Sequence, residues 1–482
     1  MKKLLLALLP AAAITALALP FVAARTAKLT PASSKVQHIV VQFNENQSFD
    51  HFMGDYCKTT TRATPCNVDA SSGQPFDVAA PVSLKDSTGA TQTITPFVGP
   101  DLSPAIDHRV VDLKQAIATQ WLKIAQCTPA AGAKCFGYLT AAMVPNAANM
   151  ANLGTISDAT YSSNPVPSWN GHSDLVNAGQ LYGFTGDNPG DFTNGWGCDS
   201  QKKILWRPNP GAPTQTVPSC FPDKADMNSS NPNLFPFGGA FQQTPVQDNV
   251  PTLMRDMDAH GITWKMYGAS KISDDGYQWS ICPTFASCLD TSEKSHLVST
   301  DQFFTDAASG KLPQVSFILP GPSSRVTGSY SQHNGNSVMV GENMSTYIYN
   351  ALFSGPNGST SVLEKTWDDC GCFYDHATPT PIINGQQAGV RVPAIFVGPS
   401  VKAGYTDSTP ANFSSTMAMI EWLTGLPPIG GGKLPDATAY NYHNIFNFAQ
   451  TSTTFKPLKT QSVSPAELKQ IQANPVDPND PS

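Results

Sequence analysis

His38-Ile39-Val40-Val41-Gln42-Phe43, followed directly by Asn44-Glu45-Asn46-Gln47-Ser48-Phe49-Asp50-His51, is the stretch on which the fold turns. The first six residues are β-branched or aromatic at four positions and read as a buried strand, which Asn44 stops. Glu45 and Asn46 leave that strand together and offer a carboxylate and an amide oxygen, the hard donors that a divalent cation takes. The same residues also suit a plain polar turn into a helix, with Asn46 or Ser48 as its cap.

Outward from this strand, apolar runs at 262–267, 315–319 and 392–397 read as further strands. Helical patterns at 112–125, 143–153, 171–182, 252–260 and 415–424 alternate with them, the last with Ser414 as its cap. That alternation predicts an α/β fold, a three-layer sandwich with a mostly parallel central sheet. In such sheets ligands bind beyond the carboxyl ends of the strands. Residues 361–366 fit a central strand less well, because Glu364 and Lys365 stand where buried side chains are expected. One domain is predicted over 36–450, with polar loops at 59–107 and a Gly/Pro/Asn-rich insertion or cap at 185–248. The polar, Pro-rich stretch 451–482 reads as a disordered tail.

Lys2 and Lys3 precede an apolar run from Leu4 to Pro20, with small residues at 22–24, the order of a secretory signal peptide over 1–24. The expectation is a secreted or periplasmic protein with no membrane span after cleavage. Ten cysteines then imply disulfides. Neighbour pairing would join Cys57 to Cys66, Cys127 to Cys135, Cys198 to Cys220 and Cys282 to Cys288; Cys370 and Cys372 are left as a local bridge, longer-range bridges or free thiols. A formal charge of −7, without a basic cluster, argues against a nucleic-acid partner.

A second acidic segment is Trp367-Asp368-Asp369-Cys370-Gly371-Cys372-Phe373-Tyr374-Asp375-His376. Adjacent carboxylates at a strand end repel each other unless a cation relieves them. Taken with Glu45-Asn46-Gln47-Ser48-Phe49-Asp50-His51-Phe52-Met53-Gly54, it resembles the paired signatures of the bacterial phosphoesterase family of phospholipases C and acid phosphatases, within the alkaline phosphatase superfamily. Residues 312–316 and 391–395 resemble the family's strands before and after the second signature.

The resemblance implies an alkaline-phosphatase-like sheet and one divalent cation held by Glu45, Asn46, Asp368 and Asp369. It also implies a nucleophile about a hundred residues beyond the first signature, for which Ser168 is the candidate, with Ser162, Ser163 and Ser173 as competitors. A serine at a helix N-terminus would meet amides and a dipole suited to a phosphoryl oxyanion. His108, His333 and His376 would serve as catalytic histidines, and His172 falls near the family's usual phosphate-binding Arg. The family's Gly-Gly is replaced by Cys370-Gly371-Cys372, and the stretch around Ser168 also departs from the pattern. The function implied is an exported metal-dependent hydrolase of phosphomonoesters or phospholipids acting through a seryl phosphoenzyme. The alternative is an inactive binding protein on the same scaffold.

Overall fold

The computed structural model describes residues 35–190, 195–200, 202–222, 250–450 and 455–473. The signal-peptide stretch 1–24 and most of the later part of the 185–248 insertion lie outside them.

Eight strands form the central sheet: β1 His38–Asn44, β2 Thr155–Ser157, β3 Trp264–Gly268, β4 Leu297–Ser299, β5 Val315–Ile318, β6 Ser361–Trp367, β7 Ala394–Val397 and β8 Tyr405–Asp407. Their order is β4-β3-β5-β1-β6-β7-β2-β8. All run in one direction except β7, which is antiparallel to both of its neighbours. Strands β1 and β6 lie side by side in register from His38 opposite Ser361 to Asn44 opposite Trp367, so the two acidic segments leave the middle of the sheet together at its carboxyl end.

Five helices frame the site: α1 Phe49–Thr59, α2 Pro145–Leu153, α3 Ser168–Asn177, α4 Val338–Ser354 and α5 Phe413–Thr424. The doubtful strand β6 shows how they are layered. All seven of its residues are buried, and successive side chains point to opposite faces. Glu364 Oε1 accepts from Thr416 Oγ1 of α5 at 2.8 Å. Lys365 Nζ, on the other face, donates to Glu342 Oε1 of α4 at 2.7 Å. Helices therefore cover both faces, and the charged residues that looked foreign to a core strand each meet a polar partner on a covering helix. Phe43 of β1 shares the α5 face and stands edge-on to Phe413 with ring centroids 5.1 Å apart.

Several local boundaries differ from the sequence reading for identifiable reasons. Helix α3 begins at Ser168, three residues before the predicted start, because Pro167 accepts the first-turn bond from Gly171 N. Helix α5 is capped by Asn412, with Ser415 completing a capping box, so Ser414 lies inside the helix. The 59–107 stretch carries short strand pairs, including Val82–Lys85 with Thr91–Ile94. Within the insertion, Lys203–Trp206 pairs with Gln215–Pro218 beside the Cys198–Cys220 disulfide.

The described part of the tail, 455–473, differs most, while 451–454 and 474–482 lie outside the described residues. Phe455, Leu458 and Val463 pack against the core, and Pro465–Ala473 is helical. Two asparagines of α4 hold this segment by its backbone: Asn350 bonds Leu458 N and O, and Asn343 bonds Gln461 N and O. Composition hides such a tether, because the anchoring amides lie more than a hundred residues away. All four neighbour disulfides form, and Cys370 and Cys372 are buried free thiols. Among the described residues, no helix is long and apolar enough to cross a membrane.

Candidate active site

The ends of β1 and β6 are stitched together by main chain and carboxylate. Asn46 N donates to Asp368 Oδ1 at 2.9 Å, Gln47 N to Asp369 O at 2.9 Å, and Asp368 N to Asn44 O at 3.0 Å. Two positive-φ residues, Asn46 (63°) and Gly371 (54°), let the loops pass this closely. A Cβ at Gly371 would lie 2.8 Å from Asn46 Cβ and 2.6 Å from Asn334 Oδ1, so a side chain there has no room.

Helix α3 brings the third component. Its residue Gly171 faces Asp368 so closely that a Cβ would stand 3.3 Å from Asp368 Cβ. One turn of that helix carries both Ser168 and His172, which share a face at a spacing of four residues. Ser168 Oγ donates to Glu45 Oε2 at 2.7 Å, and His172 Nε2 contacts Glu45 Oε1. Ser168 is the first residue of α3, Pro167 being its N-cap, and its hydroxyl bonds Glu45 with Asp368 as a second neighbour. The competing serines are otherwise engaged or unlinked to this group: Ser162 and Ser173 bond the carbonyls of Asn164 and Asn170, while Ser163 Oγ has no partner.

Ligand atoms of Glu45, His172 and Asp368 all lie within 4.8 Å of one another, and all three residues are buried. Close by, Asn46 Oδ1, Asp368 Oδ2 and Asp369 Oδ2 are buried oxygens with no hydrogen-bond partner. Burial raises Glu45 to about 8, with Ser168 opposing, and burial plus the Glu45 charge raises Asp368 to about 7. Asp369 is pushed well above the usual carboxylate range by burial and then by Asp368. Burial lowers His172 to about 4. Buried acids that destabilise one another, with oxygens left unsatisfied, are the arrangement that a divalent cation would relieve. The donor set fits such an ion.

His108 and His333 approach from the other side, their ring centroids 5.4 Å apart. His108 Nδ1 donates to Ile106 O at 2.8 Å, which leaves Nε2 to accept from Asn46 Nδ2 at 3.0 Å and turns the Asn46 oxygen away from the ring. His333 Nδ1 donates to Asn334 O at 3.0 Å.

His376 is not brought to this group. It bonds the Asp50 carboxylate, stacks on Phe76, and belongs to a separate cluster centred on Arg391. The Arg391 guanidinium bonds Asp50, Asp375, Asn67 and the Asp158 carbonyl, and so fills the space among those acids with its own positive charge. His172, expected near the phosphate, stands against Glu45 among the acidic donors. Sequence reasoning missed Arg391 as the centre of that second cluster; the available signal was a lone cation heading the apolar run into β7. It also missed Gln332, for which an isolated glutamine gives no signal.

A model of the Phosphoesterase family matches residues 36–427. The chain is 22% identical over 470 residues to a non-hemolytic phospholipase C of Pseudomonas aeruginosa, covering 86% of this chain and 57% of that protein. It is 22% identical over 473 residues to phospholipase C A of Mycobacterium tuberculosis, covering 88% and 79%. It is also 30% identical over 190 residues to non-specific phospholipase C6 of Arabidopsis thaliana, covering 34% and 36%. The chain thus spans less than two thirds of the length of the Pseudomonas and Arabidopsis relatives. A crystal structure of a protein in the alkaline phosphatase superfamily from Vibrio parahaemolyticus aligns with a TM-score of 0.34 at 10% identity, covering 80% of this chain and 77% of that one.

Proposed function

The chain belongs to the Phosphoesterase family, and from that premise we propose that it is an exported hydrolase of phosphoric esters working through a serine phosphoenzyme and one divalent cation. The observation that carries the reading is the bond from Ser168 Oγ, at the N-terminus of α3, to Glu45 Oε2 inside the buried acidic group.

Glu45, Asn46, Asp368 and Asp369 would hold the cation, with His172 as a further donor on Glu45's side. The bound ion would supply positive charge against the growing negative charge of the transition state and lower the hydroxyl pKa of Ser168. Glu45 orients the Ser168 hydroxyl. Ser168 Oγ passes its proton to Glu45 Oε2, its hydrogen-bond partner, and attacks phosphorus in line; the bond from phosphorus to the alcohol oxygen breaks, and that oxygen takes a proton from the doubly protonated ring of His333, while His108 holds Asn46. Water then attacks the phosphoserine and returns the serine. Helix α3 points its positive end at the transferring group.

Substrates in this reading are phosphomonoesters or phospholipid diesters, and the relatives bearing the name phospholipase C favour testing the diester. Four disulfides support an oxidising compartment, secreted or periplasmic.

The test is hydrolysis of nitrophenyl phosphate, bis-nitrophenyl phosphate and phosphatidylcholine, with and without a chelator, beside Ser168→Ala and Asp368→Asn. Loss of turnover in both variants and in chelator is the expected result. Full activity of Ser168→Ala would remove the phosphoserine step, and no turnover of any substrate would favour a binding protein on this scaffold.

A further inference from the structure

Gln332 directly precedes His333, and its backbone is left-handed, with φ 69°. For a residue with a Cβ, a sparsely populated conformation costs roughly 1–3 kcal/mol and persists only where its surroundings over-determine it. The surroundings do so here. The side chain is fully buried, and its Oε1 accepts two hydrogen bonds, from Asn44 Nδ2 at 2.9 Å and from Trp367 Nε1 at 3.0 Å. Asn44 ends β1 and is followed by Glu45; Trp367 ends β6 and is followed by Asp368.

The remaining groups of the residue are also used. Gln332 Nε2 donates to Val338 O at 3.0 Å, and its carbonyl accepts from Gln47 Nε2 at 3.1 Å. The preceding carbonyl, Ser331 O, accepts from Glu45 N at 2.8 Å. Helix α4 makes room through Gly341, where a Cβ would come within 2.2 Å of Gln332 Cγ. One buried amide thus joins the loop that carries His333 to the last residue of each strand that delivers a carboxylate.

We propose that Gln332 is a positioning residue that fixes His333 relative to Glu45 and Asp368. The proposal rests on the phosphoester reading of the site. Displacement of an acid–base group by about 1 Å costs on the order of 100-fold in rate. A hub that only holds the fold together would instead change the amount of folded protein and leave the turnover of each folded molecule alone.

Three variants separate these roles. Gln332→Met keeps the volume and removes the shared acceptor; Gln332→Gly also removes it but relieves the left-handed backbone; Gln332→Glu keeps an oxygen that can accept both bonds. With nitrophenyl phosphate as probe, kcat per folded molecule is expected to fall about 10- to 100-fold in the Met and Gly variants alike, whatever their difference in stability. KM should stay within about twofold, and Glu should recover more of kcat than Met. On a His333→Ala background the Gln332→Met effect should shrink to less than about twofold, because the residue acts through that ring.

Unchanged kcat per folded molecule in Gln332→Met, or the same loss with and without His333, overturns the proposal while Ser168→Ala still abolishes turnover. Absence of turnover in the unaltered protein overturns this proposal together with the reading beneath it.

Discussion

Lys365 Nζ stands 2.7 Å from Glu342 Oε1, and neither side chain has any exposure to solvent. The pair lies under the centre of the sheet, where Lys365 also approaches the Phe52 and Trp367 rings. Glu342 uses its second oxygen to accept from Ala147 N of α2 at 2.8 Å, so the ion pair ties β6, α4 and α2 together. Burial opposes the charged lysine and Glu342 restores it. Removing one partner strands the other charge in the core. Lys365→Met is therefore expected to cost about 3–5 kcal/mol in urea unfolding, while Lys365→Met with Glu342→Gln recovers much of that loss. A single variant as stable as the double would show that the charges do not depend on each other.

Metal dependence has a thermodynamic signature independent of turnover. A cation that binds only the folded acidic group stabilises it by about 2.7 kcal/mol at one hundred times its dissociation constant. Addition of a chelator to protein purified with its ion should lower Tm, and re-addition of the ion should restore it. The Asp368→Asn protein should show neither change. A Tm indifferent to chelator and to added divalent ions would count against the cation.

Gly371 offers a geometric test of the site. Its positive φ and the 2.8 Å approach that a Cβ would make to Asn46 both exclude a side chain. Gly371→Ala must move Asn46 or Asn334. Turnover is expected to fall by about 10-fold or more, with a destabilisation of about 1–3 kcal/mol. Activity equal to the unaltered protein would mean that the spacing of the two acidic loops is not critical.

Acid stability should carry the mark of His51. The ring is buried, stacks on Phe373, and donates Nδ1 to Gly137 O at 2.7 Å; burial lowers its pKa from 6.5 to about 4. The folded protein thus binds fewer protons than the unfolded chain between pH 6.5 and pH 4. The stabilisation is present above pH 6.5 and is lost as pH falls towards 4, amounting to about 3 kcal/mol over that window. His51→Gln should be less stable at neutral pH but flatter from pH 6.5 to 4. An equally steep decline in the variant would assign the acid sensitivity to other groups.

The legible parts of the fold were those written in local pattern. Strand β1 announces itself through Ile39 to Phe43, whereas the two acidic segments were paired through the family resemblance, and only the structure shows that they end neighbouring strands. Ser168 became a candidate nucleophile only through the family resemblance, since serine before a helix is ordinarily a cap. What local pattern cannot carry is long-range compensation. Glu364 and Lys365 looked wrong for a core strand because Thr416 and Glu342, which partner them, lie 52 and 23 residues away. His376 looked catalytic by its place in the signature, but Arg391 draws Asp50, Asp375 and their neighbours into a closed cluster of their own. The ordered segment 455–473 was hidden for the same reason: its tethers are side-chain amides of α4.

The pairing of β1 with β5 and β6 also constrains how the protein is made. Synthesis runs from the N-terminus, so β1 emerges hundreds of residues before either neighbour exists. The four disulfides behave oppositely, since each joins cysteines separated by 22 positions or fewer. Local covalent knots can close early, whereas the sheet must wait for contacts of long sequence separation, the slow kind. No nascent fragment that stops short of Asp369 can assemble the acidic centre. The chain therefore cannot complete that group of buried carboxylates until Asp369 has been made, however early its local disulfides close.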